Sequence, residues 1–450
     1  MGLPLRPSAL GRAISQLAGL LGPAALRALV CRLWRPCYSP SAASLRSLRR
    51  LRRLKGPLLS SSSLAKETMI QFSSKFPSAE TTIFSVMSAL AQKHEAINLS
   101  QGFPNYPVDP RLIELVHKYM LAGKNQYAPM AGVPALNQRL AQKMESLYGA
   151  SYDPATEITI TAGATEAIFS SIMAFVRPGD EVIIIEPAYD CYLPAIELAG
   201  AKAVPYALKA PDWAIDWEEL GQLITEKTRM FIINSPHNPI GRCFSEEDMQ
   251  ALTNLLAPTN IILLSDEVYE HIVFDGQKHL SALCYPALRD RTLATYSFGK
   301  TLHSTGWKMG YVVGAARLMR EFRMVHQFNV FSANTAVQYA IAEYLEDPNT
   351  YLGLSAFFQA KRDLFLDLMK DTPFQFEPSG GSYFQLGDYS QISELNDVDF
   401  ARWLTIEKGV AVIPLSPFYS QEQPDNKVVR FCFAKTEETL VAAAQQLQKL

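Results

Sequence analysis

The sequence predicts an α/β fold, in which a mostly parallel sheet flanked by helices is followed by a smaller α+β part. Three observations predict it. From about residue 155, short β-rich runs alternate with stretches of three-to-four-residue apolar spacing, the pattern of strand–helix units. The apolar runs are bounded by turn residues and long enough to be buried strands. After about residue 340 the texture changes to a long helical stretch and isolated strand-like pieces.

The elements follow in order. EITIT (157–161) reads as a strand, and EAIFSSIMAFV (166–176) as a helix by its apolar period. PGDEVIIIEP is a turn and then a strand. RMFIINSP, IILLSDE, TLATYSFG and MGYVVGA are further apolar runs of strand length. SEEDMQALTNLLA opens with a capping serine followed by acids, which marks a helix start. Beyond residue 340, NTYLGLSAFFQAKRDLFLDLMKD is helical, and GGSYFQL and VAVIPLSPFY belong to the smaller part. No internal repeat is visible.

With 48% hydrophobic residues and a formal net charge of −2 over 450 residues, the chain can bury sizeable cores. That excludes wholesale disorder and argues against nucleic acid as the main partner. The six cysteines form no CxxC pair, and no spacing suggests zinc or another metal. Scattered cysteines fit a reducing compartment.

Residues 1–65 differ: they are rich in Arg, Leu and Ser and contain no acid before Glu67. A disordered extension, with Met69 as an alternative first residue, is one reading. An organelle transit peptide is the other. The first implies a cytoplasmic protein and the second a mitochondrial one. The apolar piece LAGLLGPAALRALV is interrupted by Arg27 and is shorter than the roughly 20 residues a membrane span needs, so no membrane is expected.

Four strand ends carry polar residues that burial alone does not predict. TAGATEAI (161–168) places a Gly-Ala-Thr turn before a helix. Its free backbone N–H groups and the Thr165 hydroxyl suit an anion; a simply capped helix is the alternative. NSPHNPIG (234–241) leaves Asn234 and Asn238 free to face a crevice, or makes them turn formers only. Asp266 follows the apolar run IILLS directly. A carboxylate there is costly unless a cation or donor meets it, the alternative being a cap for the next segment. YSFGKTLHSTGWKMGY (296–311) holds Lys300 and Lys308 and no acid. A lysine at a strand end, with its ammonium pKa lowered from about 10.4, can serve as a Schiff-base nucleophile. A P-loop does not fit, because Ala294 stands where its first glycine would be, and no GxGxxG occurs. Pyridoxal 5′-phosphate needs this set together: an amine for its aldehyde, a carboxylate for its ring nitrogen, donors for its phenolic oxygen, and amides, hydroxyls and a cation for its phosphate.

From about residue 70 onward the chain resembles the class I/II aminotransferases, fold type I pyridoxal-phosphate enzymes. It is most similar to the methionine/aromatic aminotransferases and the kynurenine–glutamine transaminases. NSPHNPIG, SDEVYEH, SFGKTLHSTGWKMGY and RFCFAK carry the resemblance, in that order. It implies a large cofactor-binding domain at 116–340. A small domain would be built from 69–115 and 341–450, and 1–68 would be an extension. It implies that Lys300 bonds the cofactor covalently and later acts as base at the substrate Cα. Asp266 would pair with the ring nitrogen, Asn238 and Tyr269 would bond the phenolic oxygen, and Tyr189 would stack on the ring. Gly163, Ala164, Thr165, Ser297 and Lys308 would hold the phosphate, with Tyr127 arriving from a neighbouring subunit of a homodimer.

Arg430 would clasp the substrate α-carboxylate bidentately, beside Gly102 and Asn238. Phe103, Tyr106, Phe331 and Phe384 would make an apolar side-chain pocket, with no second arginine for a dicarboxylate. Ser332 departs from the aromatic-or-histidine pair often found in kynurenine transaminases. The implied donors are methionine, aromatic amino acids, glutamine or kynurenine, and the acceptor is a 2-oxo acid. A β-lyase acting on sulfur amino acids shares nearly every cofactor contact and is the alternative enzyme class; a non-catalytic pyridoxal-binding regulator is a third reading.

Overall fold

The computed structural model of the chain describes residues 73–76, 81–421, 423 and 425–450. The readings made for residues 1–68, and for Met69 as a start, lie outside them. Twelve strands are found among the described residues. In chain order they are β1 (Ile97–Asn98), β2 (Ile158–Thr161), β3 (Glu181–Glu186), β4 (Lys202–Ala207), β5 (Thr228–Asn234) and β6 (Ile262–Asp266). Then come β7 (Thr292–Ser297), β8 (Gly310–Gly314), β9 (Phe384–Asp388), β10 (Val410–Ala411), β11 (Ile413–Pro414) and β12 (Val428–Cys432).

Seven of them form one sheet in the order β2-β8-β7-β6-β5-β3-β4. β8 is antiparallel to both its neighbours, and every other pairing is parallel. The amino end of β8 therefore lies at the edge where the other six strands have their carboxyl ends. Its Gly310 stands opposite Thr161 and Ser297 in the register. In open sheets of this kind the carboxyl edge is where ligands bind.

Alternation along the strands fills two cores. Ile183, Ile185, Phe231, Ile233, Leu263 and Tyr296 belong to one. Val182, Ile184, Met230, Ile232, Leu264 and Leu293 belong to the other, which includes side chains of helices Ala164–Phe175, Tyr192–Leu198 and Ala316–Asn329. A sheet covered on both faces needs the continuous Val/Ile/Leu runs seen in the sequence. Each such side chain is worth about 1.5–3 kcal/mol on full burial.

Local rules set several boundaries. Ser245 and Asp248 form a reciprocal capping box on helix Glu246–Leu256. The helix read as 166–176 starts two residues earlier, at Ala164, because Gly163 supplies the turn that precedes it. The long stretch after residue 348 is not one helix. It breaks at Gly353 into Asn349–Leu352 and Leu354–Met369. β4 has no counterpart among the sequence readings. Its Pro205 weakens the strand pattern, and proline is tolerated there because β4 lies at the sheet edge. β9, β11 and β12 form a separate antiparallel sheet, and β1 pairs in parallel with β10, Ile97 opposite Val410. The segment before helix Pro110–Leu121 thus joins the C-terminal part. No described helix is long and apolar enough to cross a membrane.

Charge inside the fold is paired where it is structural. Lys143 Nζ lies 2.5 Å from Glu270 Oε1 and 2.8 Å from the Tyr311 hydroxyl, and Tyr148 donates to the same carboxylate. Burial pushes the Glu270 carboxyl upward, but the Lys143 ammonium and these hydrogen bonds outweigh it and hold the group down at about 2. Lys143→Met leaves that carboxylate buried without its cation. We expect a loss of about 3–5 kcal/mol in urea unfolding; a variant as stable as the parent contradicts the pairing.

Candidate active site

The carboxyl edge of the large sheet is built from turns. Gly163, at φ +85°, ends the link from β2 and caps helix Ala164–Phe175. The first N–H groups of that helix have no intrahelical acceptor and carry the positive end of its dipole. Lys308, just before β8, also sits at positive φ (+53°), a conformation uncommon for a side-chain-bearing residue. It carries the Lys308 ammonium to the helix start: a Cβ built on Gly163 would lie 3.6 Å from Lys308 Nζ. Ser297, at the end of β7, and the Thr165 hydroxyl complete this corner of the cavity, Thr165 Oγ1 lying 3.5 Å from the Tyr189 hydroxyl.

Asp266 ends β6 and is 3% exposed. Its Oδ2 accepts a 2.5 Å hydrogen bond from Tyr192, while Oδ1 has no hydrogen-bond partner within bonding geometry among the described residues. Burial raises its carboxyl to about 6, against the pull of the Tyr192 hydrogen bond and the Lys300 charge. A cationic N–H donor placed at Oδ1 would meet the orphaned oxygen. Next to it, Asn234 Nδ2 donates to the Asp266 carbonyl at 2.8 Å, and Asn234 Oδ1 accepts from the Asn238 N–H at 2.7 Å. Asn234 is thus tied up in the turn, and Asn238 is left to face the cavity.

Arg430, from the middle of β12, reaches across to this edge. It is 1% exposed and forms no salt bridge with an acid among the described residues. Its Nη1 donates to Asn238 Oδ1 at 2.9 Å and its Nη2 to the Ser100 carbonyl at 3.0 Å; Nε has no partner. The guanidinium lies 3.9 Å from the centre of the Phe384 ring. Burial lowers it to about 10.

Lys300, in the one-turn helix Phe298–Thr301 after β7, donates to the Tyr383 hydroxyl at 2.8 Å and to the Gly102 carbonyl at 3.2 Å. Burial lowers its ammonium to about 8. Arg430 and Lys308 act in the same direction, while Cys432 and Asp266 oppose them.

These groups line one cavity of about 240 Å³. Gly102, Gly163, Ala164, Thr165, Tyr189 and Asn238 are in its wall. So are Asp266, Tyr269, Ser297, Lys300, Lys308, Phe384 and Arg430, with Phe103 at the rim. Two residues expected here, Phe331 and Tyr106, are elsewhere in this chain, and Tyr127, expected at a neighbour's site, also lies outside this cavity. Tyr127 is 84% exposed and packs edge-on against Phe331, 5.4 Å between ring centres, Phe331 being 43% exposed. Tyr106 is turned away from the cavity, into an aromatic cluster with His303 and Phe357. Tyr192 and Tyr383 touch Asp266 and Lys300 but were not singled out in the sequence. Tyr192 falls three residues after Tyr189 at a helix start, a spacing that could have flagged it. Tyr383 carries no local signal, because its partners are about 80 to 280 residues away.

The residues present fit pyridoxal phosphate. Asp266 has a free oxygen for the ring nitrogen, and the Gly163–Thr165 turn with Lys308 forms a cationic cradle. Lys300 is a half-buried amine with lowered basicity.

Comparison with known proteins agrees. Residues 94–447 match the family model described as aminotransferase class I and II. The chain is 49% identical over 378 residues to a methionine aminotransferase of Escherichia coli, covering 84% of this chain and 98% of that one. It is 34% identical to human kynurenine–oxoglutarate transaminase 1, over 80% of this chain and 93% of the relative. A solved Escherichia coli structure, reported with a methionine aminotransferase function, superposes with a TM-score of 0.83 at 48% identity. It covers 85% of this chain and all of that one. With the match spanning most of its length, and Lys300, Asp266 and Arg430 gathered at one sheet edge, the chain belongs to the class I and II aminotransferases, a pyridoxal-phosphate-dependent family.

Proposed function

We propose that the chain moves the amino group of an apolar L-amino acid, methionine and aromatic donors foremost and glutamine or kynurenine after them, to a 2-oxo acid. One observation carries this reading: Arg430 is buried in the cavity next to Phe384, and no acid among the described residues lies within salt-bridge distance of it, Asp190 acting only from further off. A guanidinium in that position suits an α-carboxylate. The side-chain direction offers Phe103 and Phe384 rather than a further cation, so aspartate is disfavoured. The identities to a methionine aminotransferase and a kynurenine transaminase support the donor class.

Bound pyridoxal phosphate would supply an aldehyde for covalent attachment and a ring that withdraws electrons from the substrate Cα. The residues of the chain do the rest. Arg430 and Asn238 orient the substrate carboxylate. Lys300 takes the Cα proton and later returns one. Asp266 holds the ring nitrogen protonated, Tyr269 and Asn238 bond the phenolic oxygen, and Tyr189 covers one face. The Gly163–Thr165 turn, Ser297 and Lys308 hold the phosphate. In the reading adopted here, 116–340 is the large domain, and 69–115 with 341–450 is the small one. The pairing of β1 with β10 supports the second part.

A homodimer belongs to the same proposal. Tyr127 and Phe331 form an exposed aromatic pair outside their own cavity, as expected of residues that complete a neighbour's site. The described cysteines Cys191, Cys243, Cys284 and Cys432 are all free. Free thiols fit a reducing compartment; the cytoplasm is the compartment proposed, and the mitochondrial alternative depends on residues 1–68.

Lys300→Ala is expected to lower turnover with methionine by about 10⁴-fold or more while leaving the fold intact by circular dichroism; a variant turning over normally overturns the scheme. Arg430→Lys is expected to reduce kcat/KM by roughly 100-fold, since the fork geometry is lost, as read in a steady-state assay with one fixed 2-oxo acid. The same assay run without acceptor on a cysteine S-conjugate, whose sulfur leaves from Cβ, separates transamination from β-elimination, which would release a thiol, ammonia and pyruvate.

The pH dependence follows from the lowered Lys300 ammonium. Only the neutral amine attacks an aldehyde, and the group reaches neutrality near pH 8 rather than 10.5. In the cofactor-free protein, the rate at which added pyridoxal phosphate is captured should rise with pH and level off above about 8. Stopped-flow absorbance checks this, and a midpoint near 10 contradicts it. The stability term has the matching sign. Between pH 8 and 10.5 the unfolded chain holds the proton that folded Lys300 has lost, so this group's contribution to stability rises with pH across that window. Sedimentation equilibrium should give a dimer, and Tyr127→Phe should weaken cofactor binding by about tenfold; a monomer with full activity refutes the shared site.

A further inference from the structure

Lys300 is held by contacts that covalent attachment alone does not call for. Its Nζ donates to the Tyr383 oxygen at 2.8 Å and to the Gly102 carbonyl at 3.2 Å. Tyr383 gives its own proton to the same carbonyl at 2.5 Å. With that proton committed, the phenol can offer Lys300 only its lone pairs. The amine therefore rests between two acceptors in its hydrogen-bonding shell, one on the fully buried Tyr383 and one on the half-buried Gly102.

The seat is rigid on each side. Tyr383 is fully buried, immediately before β9, and its ring packs edge-on against Tyr269 at 5.1 Å and Phe384 at 4.9 Å. The carbonyls flanking Gly102 are fixed by a second buried lysine. Lys435 Nζ donates to the Gln101 carbonyl at 3.1 Å and to the Phe103 carbonyl at 2.7 Å. Gly102 itself has no room for a side chain, since a Cβ there would fall 2.9 Å from Phe384 Cζ. Two lysines from distant parts of the chain thus bind three consecutive carbonyls, and the middle one faces the active site.

We propose that Tyr383 is a positioning residue for proton transfer: with the Gly102 carbonyl, it receives the Lys300 amine when substrate frees it and stabilises the ammonium formed there. The inference rests on the role given to Lys300 above. In the step concerned, the Cα–H bond breaks, an N–H bond forms on Lys300, and the electron pair stays with the substrate and cofactor. Lys300 gains a positive charge in a half-buried position where desolvation already disfavours it, which is costly unless acceptors meet it.

The charged and titratable groups facing Lys300 are Asp266 and Cys432, which favour the ammonium, and Arg430 and Lys308, which oppose it. Tyr269 contributes only its ring, 5.6 Å from Nζ to centroid. Tyr383 and Gly102 are the hydrogen-bonding contacts of Nζ among the described residues.

Tyr383→Phe tests this, because it keeps the ring and its packing and removes only the hydroxyl. In the cofactor-free protein, competitive acetylation of Lys300, followed by peptide mass spectrometry across pH, should show the amine midpoint falling by about one unit relative to the parent. In the holoenzyme, Cα-proton removal in a single half-reaction with methionine should slow by about 10–100-fold, with a larger isotope effect on Cα-deuterated donor and KM within about threefold. An unchanged midpoint, or proton removal within twofold of the parent, overturns the proposal. Borohydride reduction of the parent holoenzyme keeps the two readings apart. A pyridoxyl group found on a lysine other than Lys300 overturns the functional assignment, and this inference with it. A group found on Lys300, with no effect of Tyr383→Phe, overturns this inference alone.

Discussion

Lys300, Lys308 and Arg430 share one cavity with Asp266, and among the described residues none of the three cations has an acid within 4 Å. Burying a charge without a partner costs several kcal/mol in a protein interior. Of the three cations Arg430 is fully buried, Lys300 half-buried and Lys308 exposed, and the contrast is between Arg430 and the Lys143–Glu270 pair, which is about as deeply buried and is fully matched. The structural charge is neutralised within the chain, whereas the charge at the sheet edge is held ready for something anionic. A substrate carboxylate and a cofactor phosphate are the two anions this family brings together, and each would find one side of the cavity prepared.

The fold sustains this imbalance by spreading it over elements that cannot relax toward one another. Asp266 and Lys300 follow adjacent parallel strands, β6 and β7, whose register is set by two apolar cores. Lys308 reaches the same edge because β8 runs the other way, so that its amino end arrives where its neighbours end. Arg430 comes from a different sheet, where β12 is the middle strand and pairs on both sides. Polar neutral groups take up part of the load: Tyr192 on Asp266, Tyr383 and the Gly102 carbonyl on Lys300, Asn238 and the Ser100 carbonyl on Arg430. Each satisfies some hydrogen-bonding capacity and leaves some open, as the free Oδ1 of Asp266 and Nε of Arg430 show. That partial satisfaction is a liability in a core and a requirement in a binding site.

Much of this was legible along the chain. The strands of the large sheet announce themselves as apolar runs because both faces are covered, and Asp266 and Lys300 stand out because polar residues follow those runs directly. What escaped was whatever depended on a surface or on a distant partner. β4 was hidden by Pro205, whose missing N–H is tolerated only at an edge. Tyr106 looked like a pocket aromatic but packs with His303 and Phe357, since direction cannot be read from residue type. Tyr127 and Phe331 lie together on the surface of this chain and outside its cavity, a placement their residue types do not reveal.

The sequence by itself determined the α/β class, the positions of the strand ends and the candidate polar groups that stand there, because burial period and turn chemistry are local properties of the chain. Only the tertiary structure decided which of those groups meet. Tyr383 contacts Lys300 across 83 residues, and Arg430 reaches Asn238 across 192 and Ser100 across 330. Hydrogen bonds of that span are set by how β9 and β12 pack against the edge of the large sheet, and no spacing rule encodes such a distance.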